Sequence, residues 1–305
     1  MQTQILILGA GPAGYTAALY SALAGFKTTL LMGPMPGGQL ILTHKVENFP
    51  GFMDISGPDL TDIFHEQAEQ AGVRLVYETA DQADVRSSPF RVHTTIGTVF
   101  QSKALIIATG ATARWLHLPG EDKLIGHGVS VCATCDGIFH KGKPVAVIGS
   151  GNTAAYEALF LAQLCSLVYL IYPGETPVFD GIISEKIIKN QKIKTLSQTE
   201  VSAFVGEKRL EALIIYNKVS GQQETLSVSG AFEAVGQVPN TQLFINQLNI
   251  DINGYLVTDC ETQMTSVPGV FACGDVQAPR FRQAIIAAGS GCRAALSAKH
   301  FLMQP

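Results

Sequence analysis

The chain has 305 residues, enough for one large domain or two of ordinary size. It is 47% hydrophobic and 15% charged with 30 glycines, a globular composition rich in turns. A formal net charge of −4 gives no electrostatic reason to expect nucleic acid, and no apolar run approaches the roughly 20 residues of a membrane span, so neither is expected as a partner.

The chain opens M-Q-T-Q-I-L-I-L-G, which enters a strand with no basic region and no cleavage site; a cytoplasmic protein is expected. From Ile5 the residues I-L-I-L-G-A-G-P-A-G read as a short aliphatic strand and a glycine turn, followed by a helix-like run rich in small residues and then the strand candidate K-T-T-L-L from Lys27. The same pattern returns from Val145, as V-A-V-I-G-S-G-N-T-A, a helical segment and the strand candidate S-L-V-Y-L-I from Ser166. Two βαβ units predict an α/β protein with two Rossmann-like, three-layer nucleotide-binding domains.

Each glycine of the first turn has its own reason. Gly9 permits the bend, Gly11 lets backbone approach a pyrophosphate, and Gly14 lets helix and strand pack closely. The phosphates would face the helix start, where free N–H groups favour negative charge. The second turn has Gly149, Gly151 and, in third place, Ala154. A bare glycine turn that only allows close packing is the alternative for both.

Between the units lie K-A-L-I-I-A-T-G (103–110) and a polar hinge-like stretch from Arg114. Beyond the second unit, a helix is expected near 182–191 and strands near 200–216 and 224–235. A-V-G-Q-V-P-N (234–240) marks a second crossing, V-F-A-C-G-D (270–275) is a strand ending in an acid, and a helix closes the chain from about Arg282 to Leu302. One domain is thus inserted into the other, with boundaries at 1–113 and 243–305 for the first and 114–242 for the second.

The six cysteines are Cys132, Cys135, Cys165, Cys260, Cys273 and Cys292. The last four are scattered and read as core filler. Cys132 and Cys135 form a single C-x-x-C followed by Asp136. In a reducing compartment such a pair is more often redox-active than structural, and an adjacent acid can move the proton that thiol–disulfide exchange requires. Half a metal site, or a pair of inert small hydrophobes, are the alternatives; no second pair exists to complete a zinc ribbon, and no metal is expected. His127, just upstream, is an accessory candidate or a solvated loop residue. A dithiol alone cannot draw electrons from a nucleotide hydride, and flavin makes that conversion, so the combination implies FAD.

These residues resemble the low-molecular-weight thioredoxin reductases along nearly the whole chain: G-A-G-P-A-G-Y-T-A-A at 9–18, G-G-Q-L at 37–40, V-E-N-F-P-G at 46–51, A-T-G-A at 108–111, C-A-T-C-D-G at 132–137, V-P-G-V-F-A-C-G-D-V at 267–276 and R-Q-A-I at 282–285. The resemblance implies a homodimer that holds FAD in the discontinuous domain and carries a Cys132–Cys135 disulfide on the inserted one. Cys135 would lie beside the flavin, Cys132 would attack the disulfide of a thioredoxin-like protein, and Asp136 would be the acid/base. Gly9, Gly11, Pro12, Ala13, Gly14, Gly38, Gln39, Leu40, Asn48, Thr109, Gly110, Gly274, Asp275, Arg282, Gln283 and Ala284 would form the flavin site, with Asp275 on the ribitol and Gln283 and Ala284 at the pyrimidine edge. For Asn48 taken alone, a turn role is the alternative.

One departure bears on the electron donor. Family members that use NADPH carry His-Arg-Arg directly after the second strand of the inserted domain, where this chain has Tyr172, Pro173 and Gly174, then Glu175. A charged hydrogen bond to phosphate contributes roughly 1.5–3 kcal/mol, so two missing arginines remove roughly 3–6 kcal/mol. Glu175 would repel a 2′-phosphate, although it could accept bonds from a free ribose. Pro173 stiffens the turn, and Tyr156 intrudes on the helix. Gly149, Gly151, Asn152, Thr153, Tyr172 and Glu175 therefore outline a nicotinamide-nucleotide site in which NADPH use is in question. Three alternatives stand: a donor other than NADPH, such as a ferredoxin-like protein, a reduced flavin or a dithiol; NADPH or NADH held by other contacts; or a non-catalytic flavin-binding protein.

Overall fold

The computed structural model describes every residue except His44, Asp180, Pro279, Arg280 and Pro305, and the backbone alone of Ile182. The chain divides into two compact units, Met1–Thr112 with Val238–Pro305, and Ala113–Gln237.

In the first unit, five parallel strands lie in the order Val270–Ala272, Ala104–Ile107, Ile5–Leu8, Thr28–Leu31 and Arg74–Val76. Alternation along these strands builds two cores, because successive side chains point to opposite faces. Ile5 and Ile7 face helices Pro12–Leu23 and Ala284–Met303, in a cluster with Ala13, Ala17, Ala294 and Ala298. Leu6 and Leu8 face the other way, onto Val85, Phe90, Val92 and Phe100. Those residues belong to, or flank, an antiparallel sheet of Ala80–Asp84, Phe90–Thr94 and Val99–Ser102. The layers are therefore helices, parallel sheet and antiparallel sheet. The run of alanine and glycine in the first helix has a packing reason: a Cβ on Gly291 would sit 2.1 Å from the carbonyl of Ala13, so these helices approach to backbone contact.

The second unit repeats the plan. Its parallel order is Ile193–Leu196, Leu167–Ile171, Pro144–Ile148, Gly230–Glu233 and Val129–Ser130. Val145 and Val147 pack on helices Asn152–Leu164 and Gly181–Lys189. Ala146 and Ile148 pack on the antiparallel sheet Thr199–Val205, Ala212–Asn217 and Gln223–Ser227.

The structure redraws several expected bounds. The stretches 200–216 and 224–235 resolve into four strands. They break at a hairpin where Gly206 lies so close to Arg209 that a Cβ would come within 1.9 Å of its carbonyl oxygen. The return crossing falls at 237/238 rather than 242/243 because Asn240 is bound to the A-T-G-A turn of the first unit. Its amide Nδ2 donates to the Thr109 carbonyl at 2.8 Å, its N–H donates to Gly110 at 3.0 Å, and the Thr109 hydroxyl donates to the Asn240 carbonyl at 2.7 Å. The last helix starts at Ala284, with Gln283 as its N-cap residue.

An unanticipated feature of the second unit is a pair of buried acids. Glu233 ends its strand 2% exposed, and Glu121 is fully buried. Each spends one oxygen on a backbone N–H of the entry segment, Glu233 on Leu116 at 3.1 Å and Glu121 on Leu118 at 3.0 Å. The other oxygen of each is buried without a hydrogen bond. Burial, and then the neighbouring Glu121 charge, push the Glu233 carboxyl up from 4.5 to about 8. A carboxyl with a raised native pKa costs stability as pH rises. Between about 4.5 and about 8 the unfolded chain ionises while the native chain stays protonated. Unfolding free energy is expected to fall across that window, and Glu233→Gln, which keeps an acceptor for Leu116 but cannot ionise, is expected to flatten the decline. Urea titrations of both proteins at several pH values across the window check this.

Candidate active site

The first glycine turn lies at the carboxyl end of the central strand of its unit. Gly9 has φ of 99°, and a Cβ there would come 2.4 Å from the Ala108 carbonyl oxygen, so both conformation and space require glycine. Gly11 differs: its φ is −80° and nothing lies within 4 Å of an added Cβ. Neither backbone strain nor protein packing explains Gly11, whereas the close approach of a ligand would. Pro12 follows at the first helical position, where its missing N–H costs nothing, and Ala13 and Gly14 are buried behind it.

Several of the other predicted residues of this unit are tied to the turn. Gly37 donates its N–H to the Ala10 carbonyl at 2.8 Å, which brings up the short helix Gly38–Leu42 with Gln39 and Leu40. A Cβ on Gly38 would be 3.5 Å from the Gly11 Cα. Thr109 and Gly110 close the neighbouring strand end through Asn240. Gly274 is pressed against Ala13, and its N–H is taken by the Ser290 hydroxyl at 2.8 Å. Asp275 is half-buried, and burial pushes its carboxyl up to about 6 while Arg282 acts in the opposite direction. Arg282 donates from Nη2 to the Tyr255 hydroxyl at 2.8 Å, and its Nε is buried without a hydrogen bond. The exposed Asn48 donates from Nδ2 to Gln283 Oε1 at 3.0 Å, a contact between segments 235 residues apart that a simple turn residue would not make. An open cradle at a helix start, an orphaned guanidinium N–H and a desolvated carboxyl suit a ligand that offers both a pyrophosphate and hydroxyl groups. Ser290 and Tyr255 were not foreseen; neither sits in a motif.

In the second unit Cys132 and Cys135 form a disulfide, S–S 2.10 Å with Cα atoms 5.3 Å apart. Cys132 caps the short helix Ala133–Asp136, and its Sγ lies 3.4 Å from the exposed Thr134 hydroxyl. Helix Asn152–Leu164 supports this segment from below, with Leu161 2.7 Å from the place of a Cβ on Gly137. Asp136 Oδ2 accepts a 2.5 Å bond from Ser130, a residue no motif had marked. His127 is exposed, and its Nδ1 lies 3.2 Å from the Ile125 carbonyl. The remaining thiols are separate: burial raises Cys165, pushes Cys273 up to about 12, and leaves Cys260 exposed and Cys292 half-buried. No group of three or more potential metal ligands exists among the described residues.

The second glycine turn copies the first. Gly149 has φ of 149° and no room for a Cβ beside the Ala234 carbonyl, while Gly151 again has nothing within 4 Å. Asn152 and Thr153 open the helix, exposed. Past the strand Leu167–Ile171 the expectation needs correcting. Tyr172 does not present itself to a ligand: it is 5% exposed, in the core with Phe179 and Ile183. An aromatic ring there gains more from the apolar layer than from solvent. Glu175 is exposed, and Val178 donates its N–H to the Ser150 carbonyl at 2.7 Å, drawing a loop without basic residues alongside the turn. The Gly174 carbonyl takes the Gln198 N–H, and Lys218, whose N–H binds Gln198, has its ammonium in an ion pair with Glu200. Asp180, in the same loop, lies outside the described residues.

The family model for pyridine nucleotide-disulphide oxidoreductases matches residues 3–291. A thioredoxin reductase of Rickettsia conorii is 41% identical over 304 residues, 98% of each chain. A bifunctional thioredoxin reductase/thioredoxin of Mycobacterium leprae is 40% identical over 302 residues, 99% of this chain and 66% of that one. The solved thioredoxin reductase of Giardia duodenalis superimposes with a TM-score of 0.94 at 37% identity, covering 99% of each chain. No helix among the described residues is long and apolar enough to cross a membrane.

The disulfide makes a simple count decisive. Unfolded without reductant, the protein is expected to yield four titratable thiols, Cys165, Cys260, Cys273 and Cys292; after reduction it should yield all six. Six in both states would mean that Cys132 and Cys135 are not paired.

Proposed function

We propose, since this chain belongs to the pyridine nucleotide-disulphide oxidoreductase family and within it to the thioredoxin reductases, that it is a flavin disulfide oxidoreductase whose electron donor is not NADPH. The family implies FAD, and the first unit suits it: Gly9, Gly11, Pro12, Ala13 and Gly14 would take the pyrophosphate, with Gly38, Gln39, Leu40, Thr109 and Gly110 around it. Asp275 and Gly274 would meet the ribitol, Asn48, Gln283 and Ala284 the ring, and the orphaned Nε of Arg282 an oxygen of the cofactor. When bound, the flavin supplies a two-electron carrier able to exchange with a dithiol.

The chain's own residues do the rest. Cys132 and Cys135 store an electron pair as two thiols and release it to the disulfide of a thioredoxin-like protein. Cys132, whose Sγ lies 3.4 Å from the exposed Thr134 hydroxyl, is taken as the attacking sulfur, with Cys135 toward the flavin. Asp136 holds and returns the proton that each exchange moves. A homodimer is the assembly proposed.

The reading of the donor rests on one observation. Among the described residues, the end of strand Leu167–Ile171 carries no cation of its own for a 2′-phosphate: Tyr172 is turned into the core, Pro173–Phe179 carry no basic side chain, and the nearby Lys218 is in an ion pair with Glu200. A ferredoxin-like protein, a reduced flavin or a dithiol are the candidate donors. A second reading, a reductase using NADPH or NADH through other contacts, is favoured by the open Gly151, which leaves room for a pyrophosphate at the second turn.

Anaerobic mixing of the holoprotein with NADPH, NADH, reduced ferredoxin or dithiothreitol, followed by flavin absorbance, tests the donor. Bleaching by ferredoxin or the dithiol but not by the nucleotides is expected; fast bleaching by NADPH overturns the reading. Cys135→Ser should lower turnover of a protein disulfide by more than about a hundredfold while dithionite still bleaches the flavin. Gly11→Ala should leave the melting temperature of the apoprotein unchanged yet strip the flavin, measured as the ratio of flavin to protein after gel filtration.

A further inference from the structure

Ser130 ends the strand Val129–Ser130, with its backbone fixed in register against Phe232. Its hydroxyl accepts the Cys132 backbone N–H at 3.1 Å and lies 2.5 Å from Asp136 Oδ2. A serine hydroxyl has one proton. With an N–H already directed at the oxygen, that proton goes to the carboxylate. The Cys132 carbonyl in turn accepts the Asp136 N–H at 3.1 Å and the Cys135 N–H at 3.2 Å. The two cysteines, the acid and Ser130 therefore share one closed ring of hydrogen bonds.

We propose that Ser130 is a positioning residue for the thiol–disulfide step, holding the Asp136 carboxylate ionised and aimed while the Cys132–Cys135 bond opens and closes. This rests on the acid/base reading of Asp136 given above. When a dithiol opens the bond, its attacking thiolate forms one S–S bond to a cysteine sulfur. The Cys132–Cys135 bond breaks, and the departing cysteine leaves with the electron pair and takes a proton. A second attack by the other thiol of the same molecule releases the second cysteine, so one dithiol becomes one disulfide and two protons end on the enzyme's sulfurs. In reverse, each cysteine thiol gives up its proton as it attacks. A carboxylate that alternates between proton acceptor and donor serves both directions, and the hydroxyl that donates to its charged form favours that form and fixes its orientation.

The surroundings add few other charges. Titratable groups on the elements packed against the short helix are Tyr156 and Glu157, on helix Asn152–Leu164, and His140, in the following turn. The His140 Nδ1 lies 3.1 Å from the Ser229 hydroxyl, and burial lowers its pKa, which keeps the ring neutral. Strand Val129–Ser130 brings no ionisable side chain.

The test follows reduction of the disulfide by dithiothreitol in the full-length holoprotein across about pH 5 to 9, by alkylation quench and intact mass. Wild type, Ser130→Ala, Ser130→Thr, Ser130→Val and Asp136→Asn are compared. Wild type should show a limb that Asp136→Asn abolishes. Ser130→Ala should move that limb up by about one pH unit and slow reduction about tenfold at neutral pH. Ser130→Thr should restore the wild-type profile and the isosteric Ser130→Val should not, which settles the matter even if the alanine variant folds poorly. Profiles for Ala and Val that superimpose on wild type, while Asp136→Asn loses the limb, overturn the role of Ser130 alone. An unchanged profile for Asp136→Asn overturns the acid/base reading itself.

Discussion

In each unit a glycine turns against the carbonyl that follows the neighbouring strand: an added Cβ would come 2.4 Å from the Ala108 oxygen at Gly9 and 2.5 Å from the Ala234 oxygen at Gly149. Parallel strands about 4.8 Å apart leave no room for a side chain where the chain turns sharply into a helix over the sheet. Everything functional follows from accepting that crowding. It brings the helix start to the sheet's carboxyl edge, exposes its free N–H groups there, and leaves a gap beside Gly11 and Gly151 that protein atoms do not fill. The segments tied to the first turn come from near 38, 109, 240 and 274, and they meet at that edge.

Repeating this arrangement within one chain gives two sites of the same geometry and different chemistry. In the first, a carboxyl and a guanidinium stand partly desolvated near the turn. In the second, the strand ends in Tyr172, packed into the core, and the unit carries the Cys132–Cys135 disulfide. The shared frame is why the fold alone does not determine the donor, which depends on single side chains at the strand end.

The legible parts of the sequence were those whose signal is local. Aliphatic runs ending in glycine marked the central strands, since a strand buried on both faces must be apolar at every position, as Ile5 to Leu8 are. The C-x-x-C needed only its spacing. The second antiparallel sheet was read as longer strands, because its breaks depend on the Gly206 hairpin, and strand Ala80–Asp84, with little apolar pattern, passed unremarked. Tyr172 was misread because its position suggested a ligand contact while its ring answers to the core. Glu233 and Ser130 could not be found at all. An acid inside F-E-A or a serine before V-C acquires meaning only from partners far along the chain, or from the turn of a helix.

Four further thiols accompany the disulfide pair, and the burial of two of them, Cys165 and Cys273, has a consequence for fidelity. Thiol exchange proceeds through thiolates. Cys273, shifted to about 12, and Cys165, also raised, stay protonated at any physiological pH. As thiols held in the protonated form they are chemically silent, so scrambling with them is disfavoured by their weak acidity. Whatever oxidative damage the enzyme accumulates should begin at the sulfur left in water, Cys260.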